Sequence, residues 1–368
     1  MLTLFAAVVA VSLIVQLTYA TRLNTGFRRA LGVESAIRAG ANGSVGGRPS
    51  PTPATVVVAA RNESKTIPTL VRALAEQDHA ALEIIVVDDA STDATADIVT
   101  EFLPSARLIR VENPQHPRKK NALTRGIERA THDVLLFTDA DCEPRPAWAR
   151  SLSALHPDSN RVVVGYSPFR RRPGLLNGFA RYETFLTGFA AAASIGLNRP
   201  YTAVGRNLSY RRSTFEAAAG FDHSRESMSG DDDLLIQHLA TQNTVEIVHT
   251  FAAEAIVPSD PPETWSTFVR QKLRHASAGR WYRPFAKRHL AFYHATATLV
   301  WLSPVALGWP GAAAIVVRLV AQFMSMRTAA RVFGERDLLP LQALYELMYA
   351  VYNVAIAPIG VLRKPRRW

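Results

Sequence analysis

Val134-Leu135-Leu136-Phe137-Thr138-Asp139-Ala140-Asp141 is an apolar run that ends in two carboxylates two residues apart. Residues two apart in an extended chain point the same way, so Asp139 and Asp141 can converge on one cation. All-oxygen ligation with open positions suits Mg²⁺ or Mn²⁺ carrying a diphosphate. Two acids at a strand end are more often a solvated turn, so the reading depends on what surrounds them.

Working outward, Thr55 to Ala60 is an apolar run that gives way to Arg61-Asn62-Glu63-Ser64, followed by a helical pattern over 66–76. Leu82 to Val87 ends in Asp88-Asp89-Ala90-Ser91-Thr92-Asp93, and a second helical stretch covers 94–102. A third strand is expected at 106–111, then a basic loop Arg118-Lys119-Lys120 and a helix over 121–130. Short apolar runs alternating with helices predict a parallel α/β sheet, whose ligands bind beyond the carboxyl ends of the strands. Arg61, Glu63, Asp88, Asp89, Asp139 and Asp141 all fall at those ends.

This arrangement resembles the family 2 glycosyltransferases of the GT-A fold, of the membrane-anchored bacterial type. The matching pieces are Ala60-Arg61-Asn62-Glu63, Val86-Val87-Asp88-Asp89-Ala90-Ser91-Thr92-Asp93, Lys120-Asn121-Ala122-Leu123 and Asp139-Ala140-Asp141. Gly205-Arg206-Asn207-Leu208-Ser209-Tyr210-Arg211 and Gly230-Asp231-Asp232-Asp233-Leu234 continue the series, which covers 55–282. The resemblance implies an inverting transfer from a nucleotide-diphosphate sugar. In that family the acid after the second strand binds nucleobase and ribose, which implies Asp89 here, with Arg61 and Glu63 beside it. Asp141 is implied as the direct metal ligand, with Asp139 on ribose or on the metal through water. Lys120, ahead of Lys119, is expected to add positive charge at the diphosphate.

The acceptor hydroxyl has to lose a proton, and inversion needs a carboxylate on the face opposite the leaving group. Asp231-Asp232-Asp233 resembles the family's acidic base motif, with Asp232 as base and Asp231 orienting it. Crowding three carboxylates raises the proton affinity of at least one, which suits a base. The bland reading is that three acids open a helix over 234–240, where the macrodipole favours them; Asp233 fits it best. Gln271-Lys272-Leu273-Arg274-His275 resembles the family's Gln-x-x-Arg-Trp motif, with His275 in place of Trp. Gln271, Arg274 and Arg206 are therefore expected at the acceptor or the diphosphate.

The chain has 368 residues, room for a catalytic core and appendages. Residues 1–21 are expected to form a transmembrane anchor, since Leu2 to Ala20 carries no charge. A cleaved signal peptide competes, with Thr18-Tyr19-Ala20 as its site. No Lys or Arg precedes the run, however, whereas Arg22, Arg28 and Arg29 follow it and place the rest in the cytoplasm. Residues 22–53 are expected as a linker, rich in Gly, Ser and Pro from Gly40 onward. The catalytic domain follows at 54–260 and an amphipathic interfacial segment at 261–289. Apolar segments over 290–362 are expected to enter the cell membrane, two of them crossing and the last lying in the interface. Residues 363–368 form a basic tail.

The formal net charge is +11, but the cations flank apolar segments and form no stripe with stacking aromatics. Nucleic acid is therefore not an expected partner; anionic lipid and diphosphate are. One cysteine, Cys142, excludes an intramolecular disulfide. A sugar-phosphate nucleotidyltransferase would carry a Gly-rich loop after the first strand, and Ala59-Ala60-Arg61-Asn62-Glu63 has no glycine. A catalytically inactive scaffold is disfavoured by Asp139, Asp141 and Asp232.

Overall fold

The computed structural model describes residues 1–41, 51–156, 160–242 and 244–362. Its centre is a seven-stranded sheet of order β3-β2-β1-β4-β6-β5-β7. The strands are β1 Ala54–Ala60, β2 Leu82–Asp88, β3 Arg107–Arg110, β4 Val134–Phe137, β5 Arg161–Val164, β6 Leu208–Arg211 and β7 Glu246–His249. β1 to β4 are mutually parallel where they pair, and β6 runs antiparallel to β4 and β5. Both faces are covered: Val56, Val58 and Leu136 pack into one core, Val57, Ala59 and Leu135 into the other. That explains why these strands read as unbroken apolar runs. The expected parallel α/β sheet is present, joined to an antiparallel β6.

The helices are α1 Leu2–Ala41, α2 Ile67–Ala75, α3 Thr95–Phe102, α4 Arg118–Arg129, α5 Trp148–Ser153, α6 Leu175–Gly196, α7 Arg212–Ala217, α8 Asp233–Gln242, α9 Trp265–Ser277, α10 Pro284–Leu307, α11 Trp309–Val332, α12 Gln342–Ala355 and α13 Ala357–Leu362. From β1 the chain winds one way through β2 to β3, and the other way to β4. This reversal opens a crevice at the carboxyl ends of β1 and β4, the place where such sheets bind ligands.

The expected linker over 22–53 needs correction. α1 continues without a break to Ala41, so 22–41 is helix. Composition hid this because a docked helix needs only one buried face. Here that face is Phe27, Ala30 and Glu34. Phe27 packs on Phe189, Phe251 and Phe333, and Glu34 accepts hydrogen bonds from Thr250 Oγ1 at 2.6 Å and Arg38 Nε at 2.9 Å. α1 crosses α6 glycine on glycine: a Cβ on Gly196 would lie 1.9 Å from the Gly26 carbonyl oxygen. The remaining linker residues 42–50 and the basic tail 363–368 lie outside the described residues.

Among the described residues, four helical segments are long and apolar enough to cross a membrane: Leu2–Gly40, Pro284–Leu307, Trp309–Val332 and Arg336–Leu362. The chain turns between α10 and α11 at Gly308, and Pro310 sits in the first turn of α11, where its missing N–H costs nothing. The last segment is broken into a 3₁₀ turn, α12 and α13. Arg318, the one basic residue in the apolar part of α11, is buried and paired with Glu346 at 2.9 Å. Gln16 accepts from Arg318 Nε at 3.1 Å and Tyr182 donates to Glu346 at 2.7 Å. The charges are thus settled inside the helix cluster.

Candidate active site

One cavity of about 1300 Å³ opens from the strand ends. Arg61, Asn62 and Glu63 reach it from the end of β1, Asp139 and Asp141 from the end of β4. Arg206 and the loop 201–205 form a second wall, Asp231 to Asp233 a third, and Gln271 and Arg274 of α9 a fourth. Its far end is lined by Leu290, Tyr349 and Tyr352 of α10 and α12. The structure therefore brings Arg61, Glu63, Asp139, Asp141, Arg206, Asp231, Asp232, Gln271 and Arg274 to one space.

Gly230 makes the turn that presents the three acids. Its φ is +79°, and a Cβ there would come within 2.7 Å of Leu234 Cγ. Each acid then finds a different environment. Asp231 lies 3.0 Å from Lys119 Nζ, which outweighs burial and holds its carboxyl below the usual range. Asp232 accepts the Gly205 N–H at 2.8 Å and the Asp233 N–H at 2.7 Å. Burial first, and then the charges of Asp233 and Asp231, push its pKa up to about 7. Asp233 accepts from Thr202 Oγ1 at 2.7 Å, the Ala203 N–H at 2.9 Å and the Tyr282 hydroxyl. It does more than open α8: it ties the loop at 202 and the approach to α10 to the acid cluster. Three adjacent acids thus divide into a paired anion, a proton acceptor near neutrality and a brace.

Lys119 bridges Asp139 at 2.9 Å and Asp231 at 3.0 Å. Burial alone would lower its pKa, but Asp139, Asp231 and Asp232 push it well above that of an ordinary lysine. The expectation for Lys120 is corrected. It is outside the cavity, with Nζ donating to Ser224 O at 2.9 Å, Ser224 Oγ at 3.0 Å and Ser227 O at 3.1 Å. Arg118, Lys119 and Lys120 form the first turn of α4 and not a loop. Adjacent residues there point about 100° apart, so only one lysine can face the acids. The sequence held a signal: Lys120, Leu123 and Ile127 share the 0, +3, +7 stripe of the buried face.

Asp89 is buried and does not line the cavity; Arg118 donates to its carboxylate at 2.8 Å and its carbonyl at 2.7 Å. Asp88 is buried too, accepting from the Ser91 N–H at 3.3 Å. Asp93 caps the turn, accepting from the Thr95 and Ser64 N–H groups. Arg206 is held by Ser167 Oγ at 2.7 Å and Ser167 O at 2.9 Å, with its guanidinium over the Phe169 ring. Sequence reasoning also missed the buried pair between Lys272 of α9 and Glu183 of α6. Arg61 Nε and Gln271 Oε1, both on cavity residues, are buried without a hydrogen-bond partner among the described residues. Such orphaned groups mark a surface that awaits polar ligand atoms.

The acid pair fits a hard divalent cation. Burial, then the charge of Asp139, raises the pKa of Asp141, so its charged form is destabilised until a cation arrives. No group of three or more His, Cys, Asp or Glu residues is placed to hold a metal ion among the described residues. Two carboxylates leave the remaining positions to phosphate oxygens and water, the pattern Mg²⁺ prefers.

The sequence matches glycosyl transferase family 2 over residues 55–217 and glycosyl transferase family group 2 over residues 162–357. It is 29% identical over 238 residues to "Probable glycosyltransferase YdaM" of Bacillus subtilis (strain 168), covering 61% of this chain and 55% of that protein. It is 32% identical over 87 residues to a poly-beta-1,6-N-acetyl-D-glucosamine synthase of Staphylococcus aureus (strain COL), covering 24% and 21%. The chain thus spans about half the length of the first relative and about a fifth of the second. Among solved structures it is similar in fold to the mannosyltransferase PcManGT of Pyrobaculum calidifontis, determined with GDP-Man and Mn²⁺. That likeness has a TM-score of 0.54 at 21% identity, over 96% of this chain and 99% of the other. With the second family match spanning more than half of the sequence and a shared GT-A fold, this chain belongs to the family 2 glycosyltransferases.

Proposed function

We propose that this chain is an inverting glycosyltransferase that moves a sugar from a nucleotide-diphosphate donor to a hydroxyl of a lipid or lipid-linked acceptor. The reaction takes place at the cytoplasmic face of the cell membrane. The observation that carries the reading is a single cavity with an acid pair at the strand ends, a carboxylate of pKa about 7 across from it, and apolar helices at its far end.

The donor enters beside Arg61 and Glu63, with its diphosphate between Asp139, Lys119 and Arg206. Asp141 and Asp139 would hold Mg²⁺ or Mn²⁺. When bound, that ion neutralises charge growing on the leaving diphosphate. Lys119 adds a fixed positive charge on the same side and keeps Asp231 ionised. Asp232 takes the proton of the acceptor hydroxyl. The acceptor oxygen bonds to the anomeric carbon, the bond from that carbon to the diphosphate oxygen breaks, and its electron pair leaves with the nucleoside diphosphate. Attack opposite the leaving group inverts the centre. A carboxylate that titrates near the working pH is suited to this step. Gln271 and Arg274 face the acceptor side.

The stereochemistry tests the reading. Proton NMR of the transferred sugar should show the anomeric configuration opposite to the donor's. Retention would contradict single displacement with Asp232 as base.

A further inference from the structure

Apart from Arg274 and Tyr282, the aromatic and basic residues interleaved between Trp265 and Arg288 have no part in the chemistry above. Arg280 lies in the 3₁₀ turn Ala278–Trp281, and Lys287 in the first turn of α10. Both line the cavity, whereas the neighbouring Arg288 does not. Lys287 Nζ is held on the Arg280 carbonyl at 2.6 Å, which places its ammonium at the backbone of the second cation. Deeper in, Lys272 is neutralised by Glu183. Arg280 and Lys287 have no acidic partner among the described residues.

Trp281 and Phe285, next to these cations in the chain, are each 40% exposed, and α10 then continues as a candidate membrane span. Exposed aromatics at such a boundary mark the depth of lipid headgroups. Tyr349, Tyr352, Pro358 and Val361 of α12 and α13 also line the cavity, with Val361 against the turn at Gly279. The volume of about 1300 Å³ exceeds the roughly 300–1,000 Å³ of a pocket for one small ligand. A second ligand therefore fits beside the donor, with an apolar wall, a cationic wall and the base within one space.

We propose that Arg280 and Lys287 form the binding site for a phosphate carried in the headgroup of the lipid acceptor, whose free hydroxyl is delivered to Asp232. This rests on the transferase reading above. The phosphate is bound and not transformed, so the bonds made and broken are those already given. The source is the acceptor and not the surrounding bilayer, because the two cations, though exposed, line the same cavity as Asp232, whereas Arg288 does not.

The test uses the full chain in uncharged detergent micelles. A membrane lipid extract is separated on an anion exchanger into anionic and neutral fractions. Transfer of labelled sugar to lipid and nucleoside diphosphate release without lipid are followed in parallel. Transfer should require the anionic fraction. The double variant Arg280→Gln, Lys287→Gln should raise the acceptor KM at least tenfold, with a smaller change in kcat. Arg280→Lys, Lys287→Arg should restore most of it, and Arg288→Gln should leave KM in place. Added phosphatidic acid, an anionic bilayer lipid with no alcohol hydroxyl in its headgroup, should not support transfer by itself. Transfer to the neutral fraction, an unchanged KM in the double variant, or an equal rise in Arg288→Gln would each overturn the assignment. Wild-type chain that releases no nucleoside diphosphate from any donor would instead overturn the transferase reading on which it rests.

Discussion

Asp232→Asn is a perturbation in which catalysis and stability move in opposite directions. The folded chain holds the Asp232 pKa at about 7, against an ordinary 3.8. The raised value means that the folded state binds this proton more tightly than the unfolded state. The sign follows: stability is fully present below the unfolded pKa, falls as pH climbs toward 7, and carries the whole penalty above it. A shift of this size corresponds to about 4 kcal/mol. Asn has no charge at any pH, so it escapes the penalty. It keeps one oxygen for the two N–H groups of Gly205 and Asp233 that Asp232 accepts, and orphaning one of them costs about 1–3 kcal/mol. The variant is therefore expected to melt below the wild type near pH 4 and at or above it at pH 8. Between pH 5 and pH 8 the difference in Tm should change in the variant's favour by several degrees, since about 1 kcal/mol moves a domain of 150–250 residues by about 2–4 °C. At pH 8, where Asp232 is ionised in the wild type, transfer should fall by about 10²–10⁴-fold. The assay is thermal melting of both proteins in detergent, without nucleotide or metal, at closely spaced pH values. A Tm difference that stays flat or moves against the variant as pH rises would refute the reasoning, as would a variant that retains transfer.

Three further outcomes follow from the same geometry. The acid limb of kcat/KM for the wild type should have its midpoint near pH 7, because the base works only when ionised; a rate that is flat from pH 5 to 8 contradicts that role. Lys119→Met should raise donor KM at least tenfold, while Lys120→Met should lower Tm and leave donor KM nearly unchanged; steady-state kinetics with melting curves separates the two lysines. Glu346→Leu should destabilise by about 3–5 kcal/mol by leaving Arg318 buried and unpaired, and adding Arg318→Met should recover much of that. Chemical denaturation of the single and double variants in detergent measures both.

The sheet was legible because buried parallel strands leave unbroken apolar runs, and the acids that end them are conspicuous. Val134 to Asp141 alone fixes a strand, its direction and the edge where ligands bind. Side-chain direction was less accessible. Lys119 and Lys120 differ by one step around a helix, and their roles reverse once α4 is seen to begin at Arg118. Residues 22–41 resembled a linker because their burial comes from α6 and β7, partners far away in sequence. The brace from Tyr282 to Asp233 and the pair of Glu183 with Lys272 are long-range contacts with no local pattern to announce them. Asp89 shows the converse: a conspicuous acid at a strand end that the fold commits to Arg118.

The most direct test of the central claim is nucleoside diphosphate release from a panel of UDP-, GDP- and dTDP-sugars by the detergent-purified chain. Release from one donor in Mg²⁺ or Mn²⁺, lost with EDTA and in Asp141→Asn, is the predicted result. Release that persists unchanged in EDTA and in Asp141→Asn, or no release from any donor with membrane lipid added, would contradict the account.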